Sequence, residues 1–211
     1  QAVPGQASGD PSRYAVLSRG SQAGAQHRIA VRGPNATQIE NFFIRPTDLP
    51  STLALADSPA GPVLAVLLEN TVGGRPLVRQ YKLNGGPGTL LRYAPQAAPV
   101  AMTVVPDTDG NGSPEFSVLV RKVAGQVRLE TRDGSGSTPQ RRTVLNRRLE
   151  PMGVEFLGKV PGFSDAAVGV LQMQFAHRSS RGSSIVSVPH IAIVNAEDGE
   201  LLFNLDFSND P

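Results

Sequence analysis

Short apolar runs alternate along this chain with turns rich in glycine, proline, asparagine and aspartate. The runs are rich in valine, isoleucine, leucine and phenylalanine, a composition that is typical of β-strands. No stretch of 12 or more residues has a clear 3.6-residue apolar period, so very little helix is expected.

One apolar segment recurs four times. Each copy reads large apolar, small, Val, Leu, and the copies begin at Tyr14, Leu64, Phe116 and Val168, spaced by 50, 52 and 52 residues. Each copy is followed by a polar turn and two further apolar runs, and copies two to four are also preceded by one. Four strands per repeat of this length predict one β-propeller blade, a four-stranded antiparallel sheet. The Val and Leu of each copy are expected at equivalent buried depths.

The predicted fold is therefore all-β, a β-propeller of about four four-stranded blades that is either complete or part of a larger one. Residues 1–10 are expected to form a tail, and residues 11–211 a single propeller-like domain. The repeats are placed near residues 11–50, 51–98, 99–150 and 151–208. The first repeat has no obvious leading strand, which leaves about fifteen strands. The chain then begins inside a larger propeller, closes by an unusual pairing, or is completed by a second copy.

The amino-acid composition excludes several kinds of site and partner. The absence of cysteine excludes disulfides, thiolate metal sites and cysteine nucleophiles. A net charge of +2, three lysines and no tryptophan give no basic stripe interleaved with stacking aromatics, so nucleic acid is not an expected partner. No apolar run is long enough to span a membrane as a helix, so membrane insertion is not expected.

The third repeat contains the sequence DTDGNGSPE, followed directly by the strand-like FSVLV. This pattern resembles the FG-GAP/VCBS-type repeats of integrin-like β-propellers, and the resemblance implies a calcium ion held between two strands of one blade. Calcium requires six to eight oxygen ligands. Side-chain oxygens of Asp107, Asp109 and Asn111, the carbonyl of Ser113 and the carboxylate of Glu115 are the candidate ligands.

Two other interpretations of this loop are an EF-hand and a metal-free turn. An EF-hand is disfavoured because Val118 stands where a bidentate glutamate is needed, and because Pro114 and the following strand oppose an exiting helix. A metal-free turn built on aspartate and asparagine side chains remains open. The corresponding turns of the other three repeats carry one carboxylate each, and no ion is expected there.

The remaining polar residues indicate no catalytic constellation. The three histidines lack ligand spacing and are expected at the surface or rim, with His190 at a strand end. The pairs Arg141–Arg142 and Arg147–Arg148 suggest a charged outer edge strand, with an anion-binding patch as the alternative. Inside the apolar runs that precede copies two to four, Glu155 is the one charge, which argues against a catalytic funnel.

The sequence thus favours a non-catalytic binding or scaffolding module of an exported protein, secreted or at a bacterial cell surface, with one structural calcium. A protein or glycan ligand is the expected partner, and a homodimer could complete the propeller. The alternatives are a carbohydrate-active propeller enzyme and a structural spacer that assembles by blade pairing.

Overall fold

The described residues are folded almost entirely as β-strands. The structure is a computed structural model, and it describes residues 14–18, 24–33, 38–58, 61–70, 74–83, 87–136, 140–163, 165–179 and 183–207. The predicted tail lies outside these ranges. The described part contains no helix, and hence none that could cross a membrane.

The fifteen strands of the described residues form four antiparallel sheets in which neighbours in the chain are neighbours in the sheet. Sheet 1 contains β1 (Tyr14–Ser18), β2 (His27–Arg32) and β3 (Gln38–Ile44). Sheet 2 contains β4 (Asp48–Ala56), β5 (Val63–Asn70), β6 (Arg75–Lys82) and β7 (Pro87–Arg92). Sheet 3 contains β8 (Ala97–Val105), β9 (Glu115–Lys122), β10 (Val127–Asp133) and β11 (Gln140–Val144). Sheet 4 contains β12 (Glu150–Lys159), β13 (Ala166–Ser179), β14 (Ser183–Asn195) and β15 (Leu201–Asp206).

This arrangement confirms the predicted fold class, all-β with blade-like meander sheets. The recurring apolar segment is β1 in sheet 1 and the second strand of the other three sheets. Sheet 1 lacks a leading strand among the described residues, as the sequence indicated.

Each complete sheet has a β-bulge at the same place in its first strand. The pairing with the second strand shifts between Pro50 and Thr52, between Pro99 and Ala101, and between Pro151 and Gly153. Proline has no N–H to donate to a ladder, so it is tolerated on an edge strand beside a bulge. The recurrence shows that the three sheets are built alike.

The chain divides into two compact units, residues 1–96 and 97–211. That they form one domain stays a prediction. In the first unit, one face of sheet 1 packs on one face of sheet 2. The buried side chains of this core are Ala15, Ile29, Val31, Ile44, Leu64, Val66, Leu68 and Leu77.

In the second unit, sheets 3 and 4 pack face to face in the same way. Their core contains Val105, Leu119, Val127, Leu129, Leu145, Val168, Val170, Ala192, Val194 and Ala196. A bond from the Phe156 N–H to the Thr103 hydroxyl (3.2 Å) also joins the two sheets. These contacts hold β8, β9 and β10 of sheet 3 against sheet 4.

The expectation of equal burial along the recurring segment is wrong at the two ends of the chain. Val66, Val118 and Val170 are fully buried, but Val16 is 43% exposed; Leu119 is fully buried, but Leu171 is 38% exposed. In sheets 1 and 4 these exposed side chains point away from the core of their unit. Equivalent positions therefore have different neighbours.

Sheet 4 presents an apolar face on the side opposite its core, called the outer face here. Leu171 and Leu205 lie on either side of β14, each paired with Ile191, and the Gly169 position is covered by Leu157. The rings of Phe163 and Phe203 stack with centroids 5.4 Å apart. Leu157, Leu205 and Phe163 are 37–45% exposed, so this face is an apolar surface open to solvent.

Candidate metal-binding loop

The loop between β8 and β9 turns sharply because two glycines adopt left-handed backbone conformations. Gly110 has φ +75° and Gly112 has φ +83°, in a backbone region that residues with a Cβ rarely occupy. The side chain of Asp107 holds this turn, with Oδ1 accepting from the Gly110 N–H (2.8 Å) and Oδ2 from the Gly112 N–H (2.7 Å). The predicted positive-φ turn is present.

The next two predicted ligands are bonded to each other. Asp109 accepts from the Asn111 backbone N–H (3.1 Å) and from the Asn111 side-chain amide (3.0 Å). The carbonyl oxygen of the Asn111 side chain accepts from the Ser113 N–H (2.8 Å). Asn111 thus turns its nitrogen toward the carboxylates, whereas a metal ligand would present its oxygen.

Glu115 lies at the start of β9 with its side chain buried, only 2% exposed. Its carboxylate accepts from the Thr108 N–H (3.1 Å) and the Thr108 hydroxyl (2.5 Å). The Arg141 guanidinium lies 3.7 Å from the same oxygen. These groups fix the carboxylate at the inner wall of the loop.

Three carboxylates converge at the loop. Asp107, Asp109 and Glu115 each place an oxygen so that all three lie within 4.8 Å of one another. Two oxygens bound to one calcium at 2.3–2.6 Å are at most about 5 Å apart. The spacing therefore fits a shared cation, with Asp107 and Asp109 on the solvent side and Glu115 on the buried side.

Two further residues at the site were not predicted. Asp133, at the end of β10, is 2% exposed and accepts from the Asn111 side-chain amide (2.6 Å). It faces Glu115 because the two residues pair directly in the register of β9 and β10. Arg141, from β11, donates to the Thr108 hydroxyl (3.0 Å) and to the Ala196 carbonyl (2.6 Å).

The pKa values of Asp107 and Glu115, at the two ends of the carboxylate cluster, are shifted in opposite directions. The backbone N–H bonds of Gly112 and Gly110 lower the pKa of Asp107, although partial desolvation opposes them. Burial raises the pKa of Glu115, and it outweighs the opposing bonds from Thr108 and the charge of Arg141; the Asp109 charge adds to the rise. A cation bound between them would favour the charged form of Glu115.

The other candidate residues are dispersed. Arg142 is exposed on the edge strand β11, 3.5 Å from Glu130, as expected for a charged edge. Arg141 instead belongs to the loop. His27 is buried, which corrects the expected surface position, and His190 lies 3.6 Å from Asp206. The side chain of His177 lies outside the described part.

No protein-family model and no curated protein matches the sequence. Among solved structures, a protein of unknown function from Bacteroides caccae is similar over 94% of this chain and 74% of its own, at 8% identity and a TM-score of 0.46. The Drosophila Plexin A chain, solved in complex with Semaphorin 1b, matches over 89% of this chain and 52% of its own, at 11% identity and a TM-score of 0.34. Both scores are below 0.5, and neither likeness bears on function.

Proposed function

We propose that this chain is a non-catalytic binding or scaffolding module of an exported protein, and that it holds one structural calcium ion in the 107–115 loop. The observation that carries the proposal is the convergence of three carboxylates within 4.8 Å, one of them buried. The FG-GAP/VCBS-type loop pattern supports the choice of calcium.

Charge supports a divalent cation. Three carboxyl groups lie together, and Arg141 is the one cation found near Glu115 among the described residues. Like charges at this separation repel, and in the metal-free chain this repulsion adds to the burial that raises the pKa of Glu115. A bound divalent ion would offset the two negative charges that Arg141 leaves unbalanced among the three carboxylates.

The donors suit a hard cation. Asp107, Asp109 and Glu115 offer carboxylate oxygens, and Ser113 a backbone carbonyl. A half-turn of the Asn111 amide, whose bond to Asp109 would then break, would present a further oxygen. Water completes the six to eight ligands that calcium takes. No histidine is part of the carboxylate cluster among the residues the structure describes, and an all-oxygen site disfavours zinc.

In this proposal the ion ties the exit of β8 to the start of β9 and stabilises the end of sheet 3. Millimolar calcium outside cells would fill even a weak site, so an exported protein is consistent with the proposed ion. Protein or glycan ligands are the proposed partners of such a module.

The test is calcium-dependent thermal melting of the wild type, Asp109→Asn and a matched control, Asp57→Asn. Asp57 is exposed and lies in the turn after β4, which corresponds to the loop after β8. Calcium at 100 times the dissociation constant should stabilise the wild type and the control by about 2.7 kcal/mol. Asp109→Asn should lose most of this gain. An unchanged wild-type melting curve after addition of 10 mM calcium would overturn the metal assignment.

A second candidate function, a spacer that assembles with a second copy of itself, is favoured by the outer face of sheet 4. Large exposed apolar faces mark interaction sites. Sedimentation equilibrium should then give a mass near twice 22.3 kDa. Leu171→Ser and Leu205→Ser would return it to 22.3 kDa, and a concentration-independent monomer would refute this candidate.

A further inference from the structure

A second charged site lies at the opposite end of sheet 3 from the metal-binding loop. Glu115 and Lys122 are the first and last residues of β9. At about 3.3 Å per residue they are roughly 23 Å apart. The two ends differ in sign, because the carboxylates gather at the start of β9 and cations gather at its end.

The cations line an open depression of about 550 Å³, called the basic depression here. Arg121 and Lys122 come from the end of β9, and Arg147 comes from the turn between β11 and β12. Ala98, Val123 and Gly125 form the rest of the lining. Residues from three separate chain segments therefore contribute to one surface.

The basic depression has an excess of positive charge. Arg121 is paired with Glu150 at 2.5 Å. The side chains of Lys122 and Arg147 have no acidic partner among the residues that the structure describes. Three cations against one carboxylate leave a local charge of +2. A ligand that balances this charge is an oxyanion with about two negative charges.

The backbone that carries the unpaired cations is held in place. In the turn after β9, the Gly125 N–H donates to the Lys122 carbonyl (2.8 Å), and the Lys122 N–H donates to the Gln126 carbonyl (2.9 Å). Arg147 lies in a turn between buried Leu145 and Leu149. Such fixed turns lower the entropic cost of arranging donors around a ligand.

The turn of Arg147 is also tied to sheet 4. The Asn146 carbonyl, one residue earlier, accepts from the side-chain amide of Gln172 (2.9 Å), and Gln172 is 2% exposed. At the rim of the basic depression, Val123 is 86% exposed and offers apolar contact next to the charges. The site thus combines cations with an apolar rim, as ligand-binding depressions commonly do.

We infer that the basic depression binds a small ligand that carries a phosphate group or paired sulfate and carboxylate groups. Lys122 and Arg147 make the principal charged contacts, and Arg121 adds a third while it keeps Glu150. This inference rests on the proposed binding function and names a ligand class for it, but it does not depend on calcium.

The experiment is a titration of the ¹⁵N-labelled protein followed by amide chemical shifts, in a buffer free of phosphate and sulfate. One arm uses inorganic phosphate, and the other uses a disaccharide that carries one sulfate and one carboxylate. Saturable shifts at Gly125 and Arg147 are expected in at least one arm, and the arm that responds identifies the source of the oxyanion. Binding should weaken as sodium chloride is raised.

Three variants decide whether the basic depression is responsible. Lys122→Gln and Arg147→Gln each should bind about tenfold more weakly, the loss of one charge-assisted contact. Arg148→Gln, an exposed neighbour that does not line the depression, should change binding less than twofold. Absence of saturable shifts in both arms, or equal weakening in all three variants, would overturn the inference.

The outcome is separable from that of the calcium test. Phosphate or disaccharide binding without any calcium-dependent melting would refute the metal site alone. Calcium-dependent melting without binding in either arm would refute the basic depression alone.

Discussion

The leucine of the recurring segment offers a comparison between equivalent positions with different surroundings. Leu119 in sheet 3 is fully buried in the core of residues 97–211, whereas Leu171 in sheet 4 is 38% exposed on the outer face. Replacing each with alanine removes the same atoms from the same place in two sheets of like construction. The difference in cost therefore measures the packing alone.

The expected loss of unfolding free energy in each variant follows from how deeply the leucine is buried. Leu→Ala removes about three carbon groups, worth about 2.4 kcal/mol when fully buried, and an enclosed cavity adds to this. Leu119→Ala should therefore cost about 3 kcal/mol. Leu171→Ala loses only part of the transfer energy and leaves no enclosed cavity, so it should cost about 1 kcal/mol.

Thermal and urea unfolding measure both costs. At about 2.1 cal/mol/K of unfolding entropy per residue, 3 kcal/mol lowers Tm by about 12 °C if residues 97–211 unfold alone, and by about 7 °C if all 211 residues unfold together. Equal costs for the two variants at low protein concentration would refute the assignment of Leu171 to an uncovered face. If the cost of Leu171→Ala grows with protein concentration, a second copy covers that face.

Two further predictions concern single side chains. Because burial raises the pKa of Glu115, the free energy of unfolding of the metal-free chain should fall as pH rises from the ordinary value of 4.5 through the raised one. In urea melts with chelator, Glu115→Gln should lack this fall. The lowered pKa of Asp107 has the opposite effect on the free energy of unfolding, but it acts equally in the wild type and the variant. Parallel pH curves for the two proteins would contradict the prediction. A Cβ on Gly88 would lie 2.4 Å from the Gln80 carbonyl oxygen, so Gly88→Ala should cost roughly 1–3 kcal/mol. Gly153→Ala, with open space around its Cβ, should cost far less in the same melts. Equal costs for the two variants would contradict the close approach of β7 to β6.

The strand layout could be predicted because each blade is a local meander. Apolar alternation and turn residues report pairing between neighbours in the chain, and this pairing accounts for all four sheets. The prolines at positions 50, 99 and 151 are a further repeat signal, which the pattern of apolar runs does not contain. Their role depends on the bulges, which become visible only once β4, β8 and β12 are paired.

The candidate site could be predicted only in part. Asp107, Asp109 and Glu115 belong to one short loop, so the sequence pattern brings them together. Asp133 comes to the loop through the register of β9 and β10, and Arg141 through the next strand. The burial of Val16 and Leu171 depends on whether another sheet covers them, and no local pattern in the sequence records this.

The sequential order of strands within each sheet has a consequence for how the chain folds. Among the described residues, every ladder joins strands that are consecutive in the chain, so none of these sheets depends on a distant segment to pair. Low sequence separation between contacting residues favours fast folding. On the ribosome each meander could form soon after its own residues have been synthesised. The paired cores, which need two adjacent meanders, would then set the size of the cooperative step.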